Sequence, residues 1–163
     1  MKMGKTGLVL SGILAGALAT GAAFGAVSAA QDAKADAALK IIWAKEMSIY
    51  AGRGQGKLDF YVNNASPHYM AWVAGTPAPF KLDALRAAAP SLAGHAQEKI
   101  STELKGFTLS GTTAVIYYLN HRTVTSTGQP VNQYYANIHV WVKEGGDWKV
   151  IGSMSRLIDP PKG

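Results

Sequence analysis

The side chains of this sequence best suited to acid–base chemistry are four histidines, His68, His95, His121 and His139, and a set of tyrosines that includes Tyr50, Tyr118 and Tyr135. An imidazole ordinarily titrates near neutral pH, so any of the four could act as general acid or base beside a substrate. None stands in a His-x-x-x-His or His-x-His spacing, and there is no cysteine, so the residues offer no metal site. Gly52-Arg53-Gly54-Gln55-Gly56 has alternate glycines, but no strand precedes it and no Gly-Lys-Ser/Thr follows, so it reads as a connection rather than a phosphate loop. There is no Gly-x-Ser-x-Gly, and no cofactor is expected. The acids Asp59, Asp83, Glu98, Glu103, Glu144, Asp147 and Asp159 fall at helix starts, turns or ends, where solvation accounts for them. His95 falls at a helix end, where it suits the C-terminal dipole. Trp43, Tyr50, Trp72, Tyr118, Tyr135 and Trp141 can serve either a core or the apolar wall of a pocket.

The elements that must position these residues follow from periodicity. Asp32 to Gly52 reads as a helix, with Asp32 as N-cap, Gly52 as stop, and Leu39, Trp43, Met47 and Tyr50 recurring along one face. A short helix over Lys57–Val62 turns Leu58 and Tyr61 inward and ends at Asn63–Pro67. His68–Val73 reads as a short strand, and Lys81–Ala89 as a third helix that Pro90 interrupts before Ser91–Gln97. From Lys99 the period changes to two, predicting strands over Ile100–Leu109, Thr112–Thr125, Gln133–Lys143 and Trp148–Ile158, the last pair joined by a tight turn at Glu144–Asp147. Helices followed by a meander of long strands give an α+β fold, a curved antiparallel sheet wrapped around the N-terminal helices as a conical half-barrel.

The N-terminus reads as a signal peptide over residues 1–30. Lys2 and Lys5 precede a run, Thr6–Val27, without any charge, and Ser28-Ala29-Ala30 places small residues at the −3 and −1 positions of a cleavage site. A retained anchor is the alternative, since about 20 apolar residues span a bilayer, but five glycines keep this run only modestly apolar. Cleavage predicts a periplasmic or secreted domain over residues 31–160, off the membrane. Without Lys2 and Lys5 the charge falls from +6 to +4, with 14 basic and 10 acidic residues. The basic residues are scattered rather than clustered, so no nucleic-acid partner is expected.

The helix ending Ile49-Tyr50-Ala51-Gly52, followed by Phe60-Tyr61-Val62-Asn63-Asn64-Ala65-Ser66, resembles the start of the nuclear transport factor 2-like superfamily. The run His139-Val140-Trp141-Val142-Lys143-Glu144-Gly145-Gly146-Asp147-Trp148-Lys149-Val150-Ile151 is similar to the Val-Trp, hairpin, Trp-Lys pattern of its SnoaL-like branch, and to the hairpin of the calcium/calmodulin-dependent kinase association domain. The resemblance covers about residues 35–158. It implies a conical α+β barrel, commonly a homodimer through the outer sheet face. Members include ketosteroid isomerase, scytalone dehydratase, limonene epoxide hydrolase, polyketide cyclases and pure binding or assembly modules, so the fold implies a pocket without its chemistry.

Alternation along Thr112–Thr125 gives two mixed faces, and pattern alone does not choose between them. The resemblance implies that Ala114, Ile116, Tyr118, Asn120 and Arg122 point inward and His121 outward. It likewise turns Tyr135, Asn137, His139 and Trp141 inward, because the kinase association domain carries a pocket arginine at the position of His139, and makes Ser153 and Ser155 candidates. His139 is then the leading catalytic candidate, with Tyr118 and His68 as possible partners in a dehydratase-like set. His68 lies where ketosteroid isomerase carries its catalytic aspartate, but Ser66-Pro67-His68-Tyr69-Met70-Ala71 has no carboxylate, which puts steroid isomerisation in doubt. The expected ligand-binding residues are Trp43, Tyr50, Trp72, Tyr118, Asn120, Asn137 and His139. The function expected is binding of a small apolar or aromatic molecule. The alternatives are a lyase, isomerase or hydrolase working through a pocket histidine, or a dimeric assembly module with a vestigial pocket.

Overall fold

The computed structural model describes residues 18–161, with side-chain surroundings from Ala30 onward. Most of the expected signal segment, residues 1–17, lies outside the described residues. The chain divides into two units at Lys34, and the sheet, the core and the site described below lie in the second, Ala35–Gly163.

Helix α1 (Leu18–Gly54) is longer than its sequence pattern suggests, so Asp32 lies within a helix and is not its cap. A helix over Asp59–Asn64 (α2) follows and breaks into strand β1 (Ala65–Trp72). A two-residue strand β2 (Phe80–Lys81), not foreseen from sequence, leads into α3 (Leu82–Leu92), which runs through Pro90 instead of ending there. Four long strands close the domain: β3 (Lys99–Ser110), β4 (Thr113–Val124), β5 (Pro130–Glu144) and β6 (Asp147–Ile158). The hairpin between β5 and β6 turns on Gly145 and Gly146, both at positive φ, a region open to glycine at little cost.

The sheet order is β2-β1-β6-β5-β4-β3. Its neighbours are antiparallel except β1 and β6, which run parallel, so the expected curved antiparallel sheet carries one parallel seam. The register slips between Leu104 and Gly106, between Arg122 and Val124, and between Val140 and Trp141. Slips of this kind bend and twist a strand, and here they help a six-stranded sheet to curve. The concave face carries Ala114, Ile116, Tyr118, Trp141 and Val150, all buried, packed with Ile42 and Ile49 of α1. The buried stripe of α1 is Ala38, Ile42, Glu46 and Ile49. It is rotated one position from the apolar stripe of the sequence, so Leu39, Trp43 and Tyr50 flank the core instead of centring it. At the middle of that stripe sits a carboxylate.

Candidate functional site

Glu46 has no solvent exposure. Its Oε1 accepts the indole N–H of Trp141 at 2.8 Å and lies 2.8 Å from His139 Nδ1. A carboxylate can only accept, so the proton between them sits on Nδ1 in the neutral imidazole, and Nε2 faces the Tyr61 hydroxyl at 3.0 Å as acceptor. The Tyr61 hydroxyl is in turn 2.8 Å from that of Tyr69. The directions are mutually consistent: Tyr69 donates to Tyr61, Tyr61 to His139, and His139 to Glu46. The Tyr118 hydroxyl is nearly equidistant from both imidazole nitrogens, at 3.2 and 3.3 Å, and 2.9 Å from the Tyr50 hydroxyl. With both ring nitrogens already engaged, its contact with the imidazole is secondary.

Each element has a reason to deliver its share. Period-two alternation on β5 puts His139 and Trp141 on one face, two donors that need a common acceptor. The helical repeat puts Glu46 one turn beyond Ile42, facing them. Strand β1 begins at Ala65, and its alternation turns Tyr69 inward and the exposed His68 outward.

Burial raises the phenol of Tyr50 to about 12, with the Glu46 charge acting in the same direction. Burial first, then neighbouring Tyr69, holds Tyr61 well above the ordinary tyrosine range. Tyr118 is pushed up by burial and then by Tyr50 and Glu46. These hydroxyls are therefore neutral donors at physiological pH, suited to holding an oxygen or delivering a proton rather than to attacking as phenolates.

The network opens on a cavity of about 230 Å³ whose wall includes Tyr50, Tyr61, Asn120, Asn137, His139 and Ser153. A second charged group lies across it. Glu98, expected at a solvated position, is buried. Its carboxylate takes Arg53 Nε and Nη2 at 3.1 Å each and Arg122 Nη1 at 3.3 Å. Arg122 is held by Gln133 and by the Tyr135 hydroxyl at 2.8 Å. Burial works against the charge on Arg53, but Glu98 and Tyr50 outweigh it and raise its pKa. Asn120 is buried against the cavity, and its Oδ1 has no hydrogen-bond partner.

Of the residues predicted for a site, Tyr50, Asn120, Asn137 and His139 meet at this cavity. Tyr118 is buried behind Tyr50 and reaches the cavity only through hydroxyl contacts. Trp43 packs edge-on against Tyr118 and contributes to the core rather than to the lining. Trp72 is half exposed on the outer sheet face, with its indole N–H on the Thr76 carbonyl. His68 is also exposed, so the pair of His68 with His139 does not form. His121 stacks on Tyr134 on the outer face, as the resemblance implies. Sequence reasoning turned Tyr61 and Arg122 inward without giving them a role, and passed over Glu46, Tyr69 and the pairing of Arg53 and Arg122 with Glu98. Among the described residues no group of three metal-ligating side chains converges, and no helix is long and apolar enough to cross a membrane.

Solved structures of similar shape decide the architecture. A ketosteroid isomerase-like protein from Erwinia carotovora atroseptica superposes with a TM-score of 0.62 at 17% identity, covering 75% of this chain and 97% of that one. A nuclear transport factor 2-like protein from Cytophaga hutchinsonii gives 0.60 at 13% identity, over 73% and 97%. This is the nuclear transport factor 2-like fold. A calcium/calmodulin-dependent protein kinase II hub from S. rosetta shares it as well, at 0.58 and 20% identity over 73% and 95%. No family model matches the sequence, and no curated protein matches it. The fold is shared with proteins of at most 20% identity among these, so the cone interior has to be read from this chain's own residues.

Proposed function

We propose that the domain binds a small organic molecule in its cone, with His139 at the polar end of the cavity. The observation that carries this reading is the orphaned Asn120 Oδ1 on the wall of the same cavity as an imidazole oriented by a buried carboxylate. Folding desolvates both groups at a cost that a ligand would offset. The wall is more polar than the aromatic lining expected, so the ligand carries polar groups as well as apolar surface. A specific observation favours acid–base chemistry as a second reading. The Glu46–His139–Tyr61 chain has the order of an orienting acid, an imidazole and a hydroxyl proton donor facing the cavity. A substrate proton would pass to the Tyr61 oxygen as the Tyr61 proton moves to His139 Nε2, giving an imidazolium paired with Glu46, and the reverse transfer returns the proton to the product.

The outer sheet face leaves Met70, Trp72 and Met154 about half exposed, beside Ile138, Val140 and Ile151. An apolar patch of this kind on a sheet supports a homodimer through that face. The likeness to a kinase hub fits such an assembly. The Val140-Trp141 hairpin supports placement in the SnoaL-like branch, and the N-terminal pattern supports export with cleavage after Ala30.

Native mass spectrometry of the protein purified from a periplasmic fraction tests these readings together. A chain starting at Gln31, a dimer mass and a small adduct lost on collisional activation are expected. An intact Met1 refutes cleavage, and a monomer at micromolar concentration refutes the dimer. A ligand-free protein that shows no amide shift changes at Asn120 or His139 with any small molecule refutes the pocket.

A further inference from the structure

The polar cavity has an apolar neighbour. A second space of about 240 Å³ lies beneath α3, walled by Leu58, Tyr69, Phe80, Leu85, Ala88 and Leu92. The two share Arg53, Tyr61 and Val73 as lining, so they adjoin along these three residues. At roughly 30 Å³ per water, each has room for about eight waters, or one end of a small molecule.

Charge and donor counts say what the junction lacks. Arg53 and Arg122 face the single carboxylate of Glu98, which leaves one positive charge without a counterion within that cluster. A guanidinium has five N–H donors. Arg53 spends two of them on Glu98, and its Nη1 has no partner among the described residues. Arg122 spends Nε, Nη2 and one Nη1 proton on Gln133, Tyr135 and Glu98. Spare donors beside a spare positive charge match a carboxylate. Asn120 Oδ1, without a partner on the wall of the same cavity, can accept from a donor on the same ligand.

We propose that the two spaces form one site for a monocarboxylate with an apolar body. The carboxylate meets Arg53, a hydroxyl or amine beside it meets Asn120, and the body fills the chamber beneath α3. This rests on the pocket reading above and narrows it to a ligand class.

Four probes on the ligand-free protein test it by calorimetry: phenyllactate, phenyllactamide, lactate and phenylpropanoate. Phenyllactate is expected to bind at least tenfold tighter than phenyllactamide, which lacks the charge, and than lactate, which lacks the body. Phenylpropanoate, without the hydroxyl, falls between. Arg53→Gln is expected to erase the preference for acid over amide. Ala88→Trp, at an exposed position on the chamber wall, is expected to weaken phenyllactate while leaving lactate unchanged. An amide that equals the acid overturns the carboxylate assignment, and lactate that equals phenyllactate overturns the chamber. In both cases the pocket itself survives. Binding of none of the four at millimolar concentration overturns this proposal, while the shift experiment with uncharged small molecules decides separately whether a pocket exists.

Discussion

Replacing Glu46 by leucine keeps the volume of the side chain in the core and removes the acceptor Oε1 together with Oε2, which has no partner to lose. Two buried donors, His139 Nδ1–H and Trp141 Nε1–H, then lose the oxygen they share. Each unsatisfied buried donor costs about 1–3 kcal/mol, so Glu46→Leu is expected to cost about 2–6 kcal/mol. Against a native stability of about 5–15 kcal/mol that is a large fraction. At roughly 4 °C per kcal/mol for a domain of this size, the midpoint falls by about 8–24 °C. The companion change His139→Leu removes one of the two donors. In the double variant only Trp141 is left wanting, and the two costs should fall short of additive by about 1–3 kcal/mol. Urea unfolding of the four proteins, followed by tryptophan fluorescence with slopes compared, measures the cycle. Strict additivity, or a Glu46→Leu protein within 0.5 kcal/mol of the parent (about the spread of neutral surface changes), would mean that Glu46 is not the shared acceptor.

The buried phenols make the domain sensitive to alkali. A folded-state pKa raised above the unfolded value of 10.0 contributes stability that is fully present below pH 10 and is lost as pH rises through the folded value, about 12 for Tyr50 and higher for Tyr61 and Tyr118. Each such tyrosine adds about 1.4 kcal/mol per pH unit to the loss, so urea midpoints should drop steeply from pH 10 upward, and Tyr50→Phe should flatten the slope. Asp147→Asn, by contrast, removes a largely exposed partner of Lys45 and is expected to shift stability by less than about 1 kcal/mol, less still at high salt. Gly56 sits at φ +72 with the Leu92 carbonyl oxygen 2.9 Å from where a Cβ would be. Gly56→Ala should therefore cost about 1–3 kcal/mol in a thermal melt. Trp72→Glu on the outer sheet face should turn a dimer into monomers in sedimentation velocity without lowering the melting midpoint of the monomer by more than about 0.5 kcal/mol equivalent.

The long strands were legible because their alternation is continuous, and β4 and β5 present the faces that the resemblance implied. The site was legible only where it lay on those strands. His139, Asn120 and Asn137 come from them, whereas Glu46 comes from a helix whose stripe was read one residue out of phase. An Ala-Lys-Glu stretch has the look of a solvated helix face, and only a donor pair on a distant strand makes burial of that glutamate affordable. The signal was present: His139 and Trp141, two residues apart on one face, both need an acceptor. Glu98 was misplaced for a related reason, since its two arginine partners lie far off in sequence. His68 was misplaced by a strand start: pairing from Ala65 onward puts Tyr69 on the inside.

The parallel seam between β1 and β6 also sets a timetable. β1 has only the two-residue β2 beside it until β6 exists, and Glu46 finds its partners only 93 and 95 positions downstream. While the chain is being made from its N-terminus, α1 has no concave face to cover and carries a carboxylate that resists burial in any premature cluster. Contacts this remote slow folding, because the loop must close before the contact rewards it. The domain thus cannot lock before β6 has been made, and over that interval it stays threadable.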